Sequence, residues 1–173
     1  SSGKMGYALA KKARDMGADV TLVSGPVNID SIPNIKFIPI ESALDMEKEV
    51  NYISAKMDYI FMAAAVADYT PKTISDKKLK RKEKNITLDL YPCPDIIKSI
   101  KKSSKTISIA FALETHNGEK EAIRKLKEKD VDFIVLNYAN EKGSGFDSST
   151  NRVCIFSKNK EKLNIKRDVK ERV

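Results

Sequence analysis

The stretch TISIAFALETHNGEKEAIRKLKEKDVDFIVLN, residues 106–137, decides the fold class of this 173-residue chain. Its apolar run from Thr106 to Leu113 predicts a strand, because apolar residues that favour strands follow one another almost without a break. A helix is predicted from Gly118 to Lys129, with glutamate in its first turn and lysine in its last, as the helix dipole favours. A second strand is predicted from Asp132 to Leu136. The stretch therefore predicts a strand, a helix and a strand in succession.

The same alternation extends toward the start of the chain. Helical spacing of apolar residues opens it, with Ser2 as the predicted cap and Gly17 as the predicted end. A second helix is predicted after Ser42, which is a favourable N-cap residue. Short strands are predicted for three further segments, residues 19–25, 35–40 and 58–64.

Toward the other end, a strand is predicted from Ile86 to Leu90, followed by a short helix that Pro94 opens in its first turn. Val153–Phe156 and Leu163–Ile165 predict a hairpin, and a further helix is predicted to begin at Asp168. Strands that are apolar on both faces and alternate with helices predict a parallel sheet covered on both sides. We therefore expect one α/β domain, a doubly wound, mostly parallel, Rossmann-like sheet with an antiparallel C-terminal hairpin.

Composition narrows the class of protein. Hydrophobic residues make up 41% and charged residues 32%, which argues against a disordered tail and against a membrane protein. The longest apolar run, Tyr59–Ala67, is too short to cross a bilayer, and the first residues lack a signal-peptide layout. Cys93 and Cys154 lie far apart and suit neither a disulfide framework nor a zinc site. We expect a cytoplasmic protein.

Basic residues exceed acidic ones by 32 to 24, for a net charge of +8, which predicts a polyanionic partner without choosing its class. The basic segment, KKLKRKEK at Lys77–Lys84, concentrates that excess. It is either an exposed loop or a flap that closes cations over a polyphosphate. The remaining lysines are expected on solvated helix faces, for example Lys101, Lys102, Lys125, Lys127 and Lys129.

Ligands of open α/β sheets bind outside the carboxyl ends of the strands. Polar or small residues follow four predicted strands: Ser24 and Gly25, then Val66, Ala67 and Asp68, then Glu114 and Thr115, then Asn137. The alanine run before Asp68 could let a base or ribose lie close to the backbone, or could serve close helix packing. Asp68 itself could accept hydrogen bonds from a nucleotide or assist a metal ion. His116 and Cys93 are expected in surface and packing roles.

SSGKMG, which opens the first predicted helix, could hold a phosphate at the helix N-terminus or could be an ordinary helix start. It matches neither the P-loop pattern nor G-x-G-x-x-G, which weakens the case for a dinucleotide-binding enzyme.

Six motifs in a fixed order carry a resemblance: SSGKMG, AAAVADY, KLKRK, PDII, AFALET and LNYANEKGSGFDSSTN. From Ser1 to about Phe156 the chain resembles phosphopantothenoylcysteine synthetase, the second domain of the bifunctional coenzyme A biosynthesis protein. The resemblance implies a ligase that joins 4′-phosphopantothenate to L-cysteine with CTP as co-substrate, through an acyl-cytidylate. It also implies Mg²⁺, a homodimer, and a phosphopantothenoylcysteine decarboxylase as fused domain or partner, with no nucleic-acid or membrane partner.

Site residues follow from the resemblance motif by motif. Lys78 is implied as the catalytic lysine and as the first residue of the flap motif, in which Lys80 and Arg81 are further cations. Asp68 is the candidate metal ligand. The other implied contacts to substrate and nucleotide are Ser1, Ser2, Gly3, Met5, Ala64, Ala65, Phe111, Ala112, Asn137, Gly145 and Phe146.

The chain departs from the family pattern in places. We expect the family's first strand, and the asparagine that handles the acyl-cytidylate, upstream of Ser1. Cys93 replaces the usual asparagine before Pro94, and Tyr138 stands where an aspartate is common. Two other classes stay open: a non-enzymatic nucleic-acid-binding domain that uses the basic segment, and an NAD(P)-linked reductase, which would need a glycine fingerprint not found here.

Overall fold

The computed structural model describes residues 2–73, 75, 77, 78, 80, 86–138 and 150–169. Its helices are α1 (Lys4–Asp15), α2 (Ala43–Ser54), α3 (Ile96–Ser99) and α4 (Gly118–Glu128). Its strands are β1 (Thr21–Ser24), β2 (Lys36–Pro39), β3 (Tyr59–Met62), β4 (Tyr69–Pro71), β5 (Leu90–Pro92), β6 (Ile107–Glu114), β7 (Phe133–Tyr138), β8 (Thr150–Ser157) and β9 (Lys162–Val169). Of the helices in these ranges, none has the length and apolar character needed to cross a membrane.

The central sheet has five strands in the order β3, β6, β7, β8, β9. The first three are parallel, and β8 and β9 add an antiparallel hairpin at one edge. The register pairs Ala110 of β6 with Ile134 of β7. The predicted α/β class and the predicted hairpin are therefore confirmed.

Two smaller strand pairs lie outside the central sheet. β1 and β2 form a parallel pair, and β4 and β5 form an antiparallel pair. The expectation of one continuous parallel sheet was wrong for β1 and β2, because side chains rather than backbone hydrogen bonds join this pair to the rest. Val23 and Ile40 pack against a buried cluster from α2 and α3, which comprises Met46, Val50 and Ile96.

One face of the central sheet is covered by α4. Alternate residues of a strand point to opposite faces, so Ala110 and Ala112 of β6 share the side beneath this helix. Ala122 of α4 is fully buried there, and Leu136 of β7 lies against the same cluster. Small side chains on β6 thus allow the helix to approach the sheet closely.

The other face carries larger side chains and is covered only in part. Ile109 and Val135 form a second cluster there, against which Phe111 packs. Met5 and Leu9 of α1 lie beside this face and line an apolar groove of about 570 Å³ with it. Helices therefore lie on both faces, as predicted.

The predicted cap of α1 was wrong and its predicted end was right. Gly3, not Ser2, is the N-cap residue, with no side-chain cap hydrogen bond and a left-handed φ of 74°. A Cβ at Gly3 would lie 2.8 Å from Val27 Cγ1. Both this close neighbour and the left-handed φ therefore favour glycine at this position. Gly17 has φ 90°, and the Ala18 N–H donates to the Ala13 carbonyl, which is the hydrogen bond of a Schellman ending.

The predicted cap of α2 is confirmed. The Ser42 hydroxyl accepts from the Asp45 N–H at 3.1 Å, and the Asp45 carboxylate accepts from the Ser42 N–H at 2.9 Å. This reciprocal pair is a capping box. The hydrogen bonds from Ser42 lower the pKa of Asp45.

Three other predicted elements need correction. Residues 86–89 are not a strand, and strand pairing begins only at Leu90 in β5, which pairs with β4, a strand that was not predicted. Pro94 lies before the N-cap of α3, Asp95, rather than in the first turn. Asp168 continues β9 instead of opening a helix, because Asn151 pairs with it across the hairpin.

Candidate functional site

The candidate site lies where β3, β6 and β7 end. Because these strands are parallel, the residues that follow them share one edge of the sheet. We call this the carboxyl edge and define it by Ala63–Asp68, Glu114, Thr115 and Asn137. Ser24 and Gly25 end a strand of the separate β1–β2 pair.

The alanine run forms an open surface at the carboxyl edge. Val66 packs into the cluster of α2 and α3, whereas Ala64 and Ala65 are exposed. A Cβ placed on Gly6 of α1 would lie 3.9 Å from the Ala63 Cβ. The structure thus brings α1 beside the alanine run at Gly6, whereas Gly3 lies against Val27 and Met5 lines the apolar groove.

Asp68 closes that run with an exposed side chain. Its backbone carbonyl accepts a hydrogen bond of 2.8 Å from the Cys93 N–H, which ties the edge to the residues before α3. In the described part of the chain, no three His, Cys, Asp or Glu side chains cluster as a metal site. An exposed carboxylate of this kind suits a magnesium ion held mainly by substrate phosphates, and not a protein cage.

Directly after Asp68 come β4 and β5, which pair with each other outside the central sheet; we call the described residues from β4 to β5, 69–73, 75, 77, 78, 80 and 86–92, the arm. Lys78 and Lys80 lie on this arm with exposed side chains, and no ion pair joins either of them to another described residue. The basic segment is thus connected to the candidate site through the base of the arm.

Phe111 and Ala112 were predicted to flank a base together. The structure places their side chains on opposite faces of β6: Ala112 is 4% exposed beneath α4, and Phe111 faces the apolar groove. Only Phe111 therefore has a side chain that is partly open, and their joint role stays a prediction.

Three of the lysines expected on solvated helix faces are engaged instead: Lys102, which lies outside any helix and donates to the Ser108 hydroxyl, Lys125 of α4, and Lys129 at the C-cap of α4. Lys125 Nζ donates to Glu114 Oε1 at 2.6 Å, and Lys129 Nζ donates to Asp95 Oδ1 at 3.2 Å. The strand-end carboxylate of β6 is thus occupied by an ion pair. The sequence carried a signal for Lys125 and Lys129, since residues four apart share one face of a helix.

Asn137, at the end of β7, is held by a residue that the sequence analysis did not single out. The Asn151 Nδ2 group donates to Asn137 Oδ1 at 2.7 Å, and Asn151 is only 3% exposed. The sequence offered no signal for this role, because Asn151 stands between Thr150 and Arg152, outside the predicted strand Val153–Phe156.

His116 and Cys93 have the surface and packing environments expected of them. His116 is exposed, with Nδ1 3.0 Å from Thr115 Oγ1. Cys93 is half-buried, and burial raises the pKa of the Cys154 thiol. Gly118 is buried at the start of α4, where a Cβ would lie 2.7 Å from the Tyr138 ring. Four predicted site residues lie outside the described residues: Ser1, Arg81, Gly145 and Phe146.

Comparison with known proteins identifies the family. The "Coenzyme A biosynthesis bifunctional protein CoaBC" of Bacillus subtilis (strain 168) is 44% identical over 160 residues, covering 91% of this chain and 39% of that protein. The same-named protein of Escherichia coli (strain K12) is 35% identical over 168 residues, covering 94% of this chain and 41% of that protein. This chain thus spans about two-fifths of the length of these relatives.

A solved structure gives the same result. The crystal structure of the C-terminal domain of CoaBC has a TM-score of 0.81 and 34% identity, covering 99% of this chain and 77% of that one. The model of the DNA/pantothenate metabolism flavoprotein C-terminal domain matches residues 1–173. This chain belongs to the DNA/pantothenate metabolism flavoprotein C-terminal domain family.

Proposed function

We propose that this chain is a phosphopantothenate–cysteine ligase, which joins 4′-phosphopantothenate to L-cysteine at the expense of CTP in coenzyme A biosynthesis. The observation that carries the proposal is the carboxyl edge, where an exposed small-residue surface and Asp68 adjoin both the start of α1 and the base of a lysine-bearing arm. The names of the relatives, coenzyme A biosynthesis proteins, support the same pathway.

The proposed reaction has two steps. In the first, a carboxylate oxygen of 4′-phosphopantothenate attacks the α-phosphorus of CTP. The bond between the α-phosphorus and the bridging oxygen breaks, and pyrophosphate leaves with that electron pair. The product is an acyl-cytidylate, in which the carboxyl carbon is activated.

In the second step, the amine of cysteine attacks that carboxyl carbon. The carbon–oxygen bond to the cytidylate breaks, CMP leaves, and the amine loses a proton. Cleavage of the reactive acyl-cytidylate anhydride thereby drives formation of a stable amide bond. Catalysis of both steps rests mainly on positioning and on stabilising charge, because the protein forms no covalent bond to the substrates.

The described residues have separate roles in this proposal. The positive end of α1, a 12-residue helix with Gly3 at its N-cap, attracts a phosphate group of the substrates. Ala64 and Ala65 leave room for the nucleoside, and Asp68 accepts hydrogen bonds from it. Lys78 and Lys80 neutralise charge that develops on the leaving pyrophosphate.

Mg²⁺ would supply further charge neutralisation on the phosphates. Asp68 is the carboxylate of the carboxyl edge that would share its coordination, since Glu114 is held in its ion pair with Lys125. This assignment keeps the ion with the nucleotide, in agreement with the preference of magnesium for phosphate oxygens and water.

A homodimer belongs to the proposal. Several large apolar side chains on the arm are about half exposed or more: Tyr69, Ile86, Leu88, Leu90 and Tyr91. Exposed apolar residues in one region mark interaction surfaces. We expect these side chains to be buried against a second copy of the chain, so that the arm lysines of one copy lie near the carboxyl edge of the other. Sedimentation of the native protein measures whether it is a dimer.

The test is release of pyrophosphate by the native full-length protein, with CTP or ATP, with or without 4′-phosphopantothenate and cysteine. The proposal expects pyrophosphate from CTP only when 4′-phosphopantothenate is present, and CMP in equal amount once cysteine is added. Binding of DNA or RNA that falls steeply with salt, without pyrophosphate release, would instead favour the nucleic-acid-binding alternative. Hydride transfer from NAD(P)H would favour the reductase.

A further inference from the structure

The hydrogen bonds of Asn151 form a short chain that ends at the carboxyl edge. Asn151 lies near the start of β8 and is 3% exposed, so its amide must find its partners inside the protein. Its Oδ1 accepts from the Arg152 N–H at 3.0 Å, and its Nδ2 donates to Asn137 Oδ1 at 2.7 Å.

The direction of this chain is set by the backbone. A main-chain N–H can only donate, so the Arg152 N–H fixes which end of the Asn151 amide is the oxygen. The Asn151 NH₂ group must then face Asn137 and make its oxygen the acceptor. The Asn137 Nδ2 group is left to donate elsewhere, and no acceptor for it is recorded among the described residues.

The fold gives Asn151 a fixed position. The register between β8 and β9 shifts between Asn151 and Val153, and Val153 is also the first residue of β8 that pairs with β7, opposite Asn137. Asn151 thus sits just beyond the pairing with β7, within hydrogen-bond reach of Asn137. At the end of the neighbouring strand β6, Glu114 Oε1 accepts from Lys125 and is already engaged.

We propose that Asn151 is a positioning residue that turns the Asn137 amide so that its NH₂ group donates to an oxygen acceptor of the bound nucleotide. This inference rests on the proposed function, since it takes the nucleotide of the ligase as its ligand. Asn151 touches no substrate itself and acts only through Asn137. The Asn137 NH₂ group would then give the nucleotide a neutral hydrogen bond, in addition to the positive charge that Lys78 and Lys80 supply.

The test compares N151A and N151D in the native full-length protein. N151A removes the donor that orients Asn137. N151D keeps the shape of the side chain but presents only oxygens, so the Asn137 amide must turn its NH₂ group inward and show the ligand its oxygen. We expect each variant to weaken CTP binding and raise the KM for CTP about 5-fold or more, with little change in the KM for 4′-phosphopantothenate.

A double-mutant cycle with N137A separates positioning from a general structural effect. If Asn151 acts through Asn137, the N137A/N151A protein binds CTP no more weakly than N137A alone. The matched control is Asn51→Ala, which removes the hydrogen bond of 3.2 Å from Asn51 Nδ2 to Ser99 Oγ, between α2 and α3, and should leave the KM for CTP unchanged.

Several results would overturn the inference: unchanged CTP affinity in folded N151A or N151D, additive losses in the double variant, or a rise in the KM for 4′-phosphopantothenate instead. If N151A does not fold, N151D decides. Failure of both to fold assigns Asn151 a structural role only. If the unaltered protein neither binds CTP nor releases pyrophosphate, it is the proposed function that fails, so the two failures are distinguishable.

Discussion

The two edges of the parallel part of the sheet differ in how their charges are used. At the opposite, amino edge, five residues form a closed cluster, which we call the amino-edge cluster: Lys102, Ser108, Asp130, Asp132 and Lys158. Asp132 Oδ2 accepts from both the N–H and the hydroxyl of Ser108 at 2.8 Å, and Lys158 Nζ lies 2.8 Å from Asp130 Oδ1. Lys102 Nζ donates to the Ser108 hydroxyl at 2.9 Å.

The carboxyl edge is built the other way. Asp68 and the arm lysines Lys78 and Lys80 are exposed, and none has an ion pair with another described residue. Paired charges at the amino edge stabilise the fold, whereas Asp68 at the carboxyl edge and the two arm lysines stay available for a ligand. A polar residue at a strand end therefore indicates a ligand site only when no other side chain of the protein already pairs with it, as Lys125 pairs with Glu114.

The largest expected effect separates activity from stability. Lys78→Gln should slow pyrophosphate release by at least ~100-fold, because the flap would lose a cation that stabilises the leaving group. Stability should not change, since Lys78 is exposed. Single-turnover kinetics and thermal unfolding measure the two effects. Lys105→Gln, at an exposed site before β6, is the matched control, and equal slowing in both variants would remove the flap from the mechanism.

Asp68→Asn should weaken nucleotide binding about 10-fold, because a neutral amide replaces a charged acceptor at the carboxyl edge. Isothermal titration with CTP measures the change. Asp58→Asn is the control: Asp58 is also exposed, and its carbonyl also accepts a backbone hydrogen bond of 2.8 Å, but it lies at the other end of β3. Equal losses in the two variants would contradict a specific role for Asp68.

The amino edge should show the reverse behaviour. Asp132→Asn should lower the free energy of unfolding by about 1–2 kcal/mol, since the buried Ser108 donors lose a charged acceptor that is itself partly solvated. The dissociation constant for CTP should stay the same. Urea unfolding combined with CTP titration tests both halves of this statement, and a large loss of CTP affinity without destabilisation would contradict it.

A smaller effect appears in acid. Burial tends to raise the pKa of Asp132, but the hydrogen bonds from Ser108, with Lys102 and Lys158, outweigh it and hold the pKa below 3.8. A depressed pKa stabilises the fold fully above the unfolded value, and that contribution is lost as pH falls through the folded value. The stability difference between the unaltered protein and D132N should therefore shrink below about pH 4. A difference that stays constant to lower pH would contradict this assignment.

Sequence reasoning found the elements whose signals are local. The N-cap at Ser42, the helix end at Gly17 and the strand that contains Phe111 depend on neighbouring residues alone, and all three appear in the structure. The strand β4 was missed because three exposed residues with a proline carry no periodic signal. Its pairing with β5 depends on a partner about twenty residues away in the chain, which no local pattern encodes.

The candidate site divides in the same way. The polar residues at the strand ends could be found from the sequence, because strand ends follow from strand prediction. The sequence does not reveal which of these residues already pair with another side chain, because the partners of Glu114 and Asn137 come from α4 and β8. Strand alternation by itself places the side chains of Phe111 and Ala112 on opposite faces of β6, which argues against both of them flanking one base.

The central claim is that a carboxylate attacks the α-phosphorus of a nucleotide at the carboxyl edge. The most direct measurement uses 4′-phosphopantothenate with a heavy oxygen isotope in its carboxylate, together with CTP and cysteine, and follows the label by mass spectrometry. One labelled oxygen is expected in CMP and none in pyrophosphate. Unlabelled CMP, or label in inorganic phosphate with release of CDP, would contradict it.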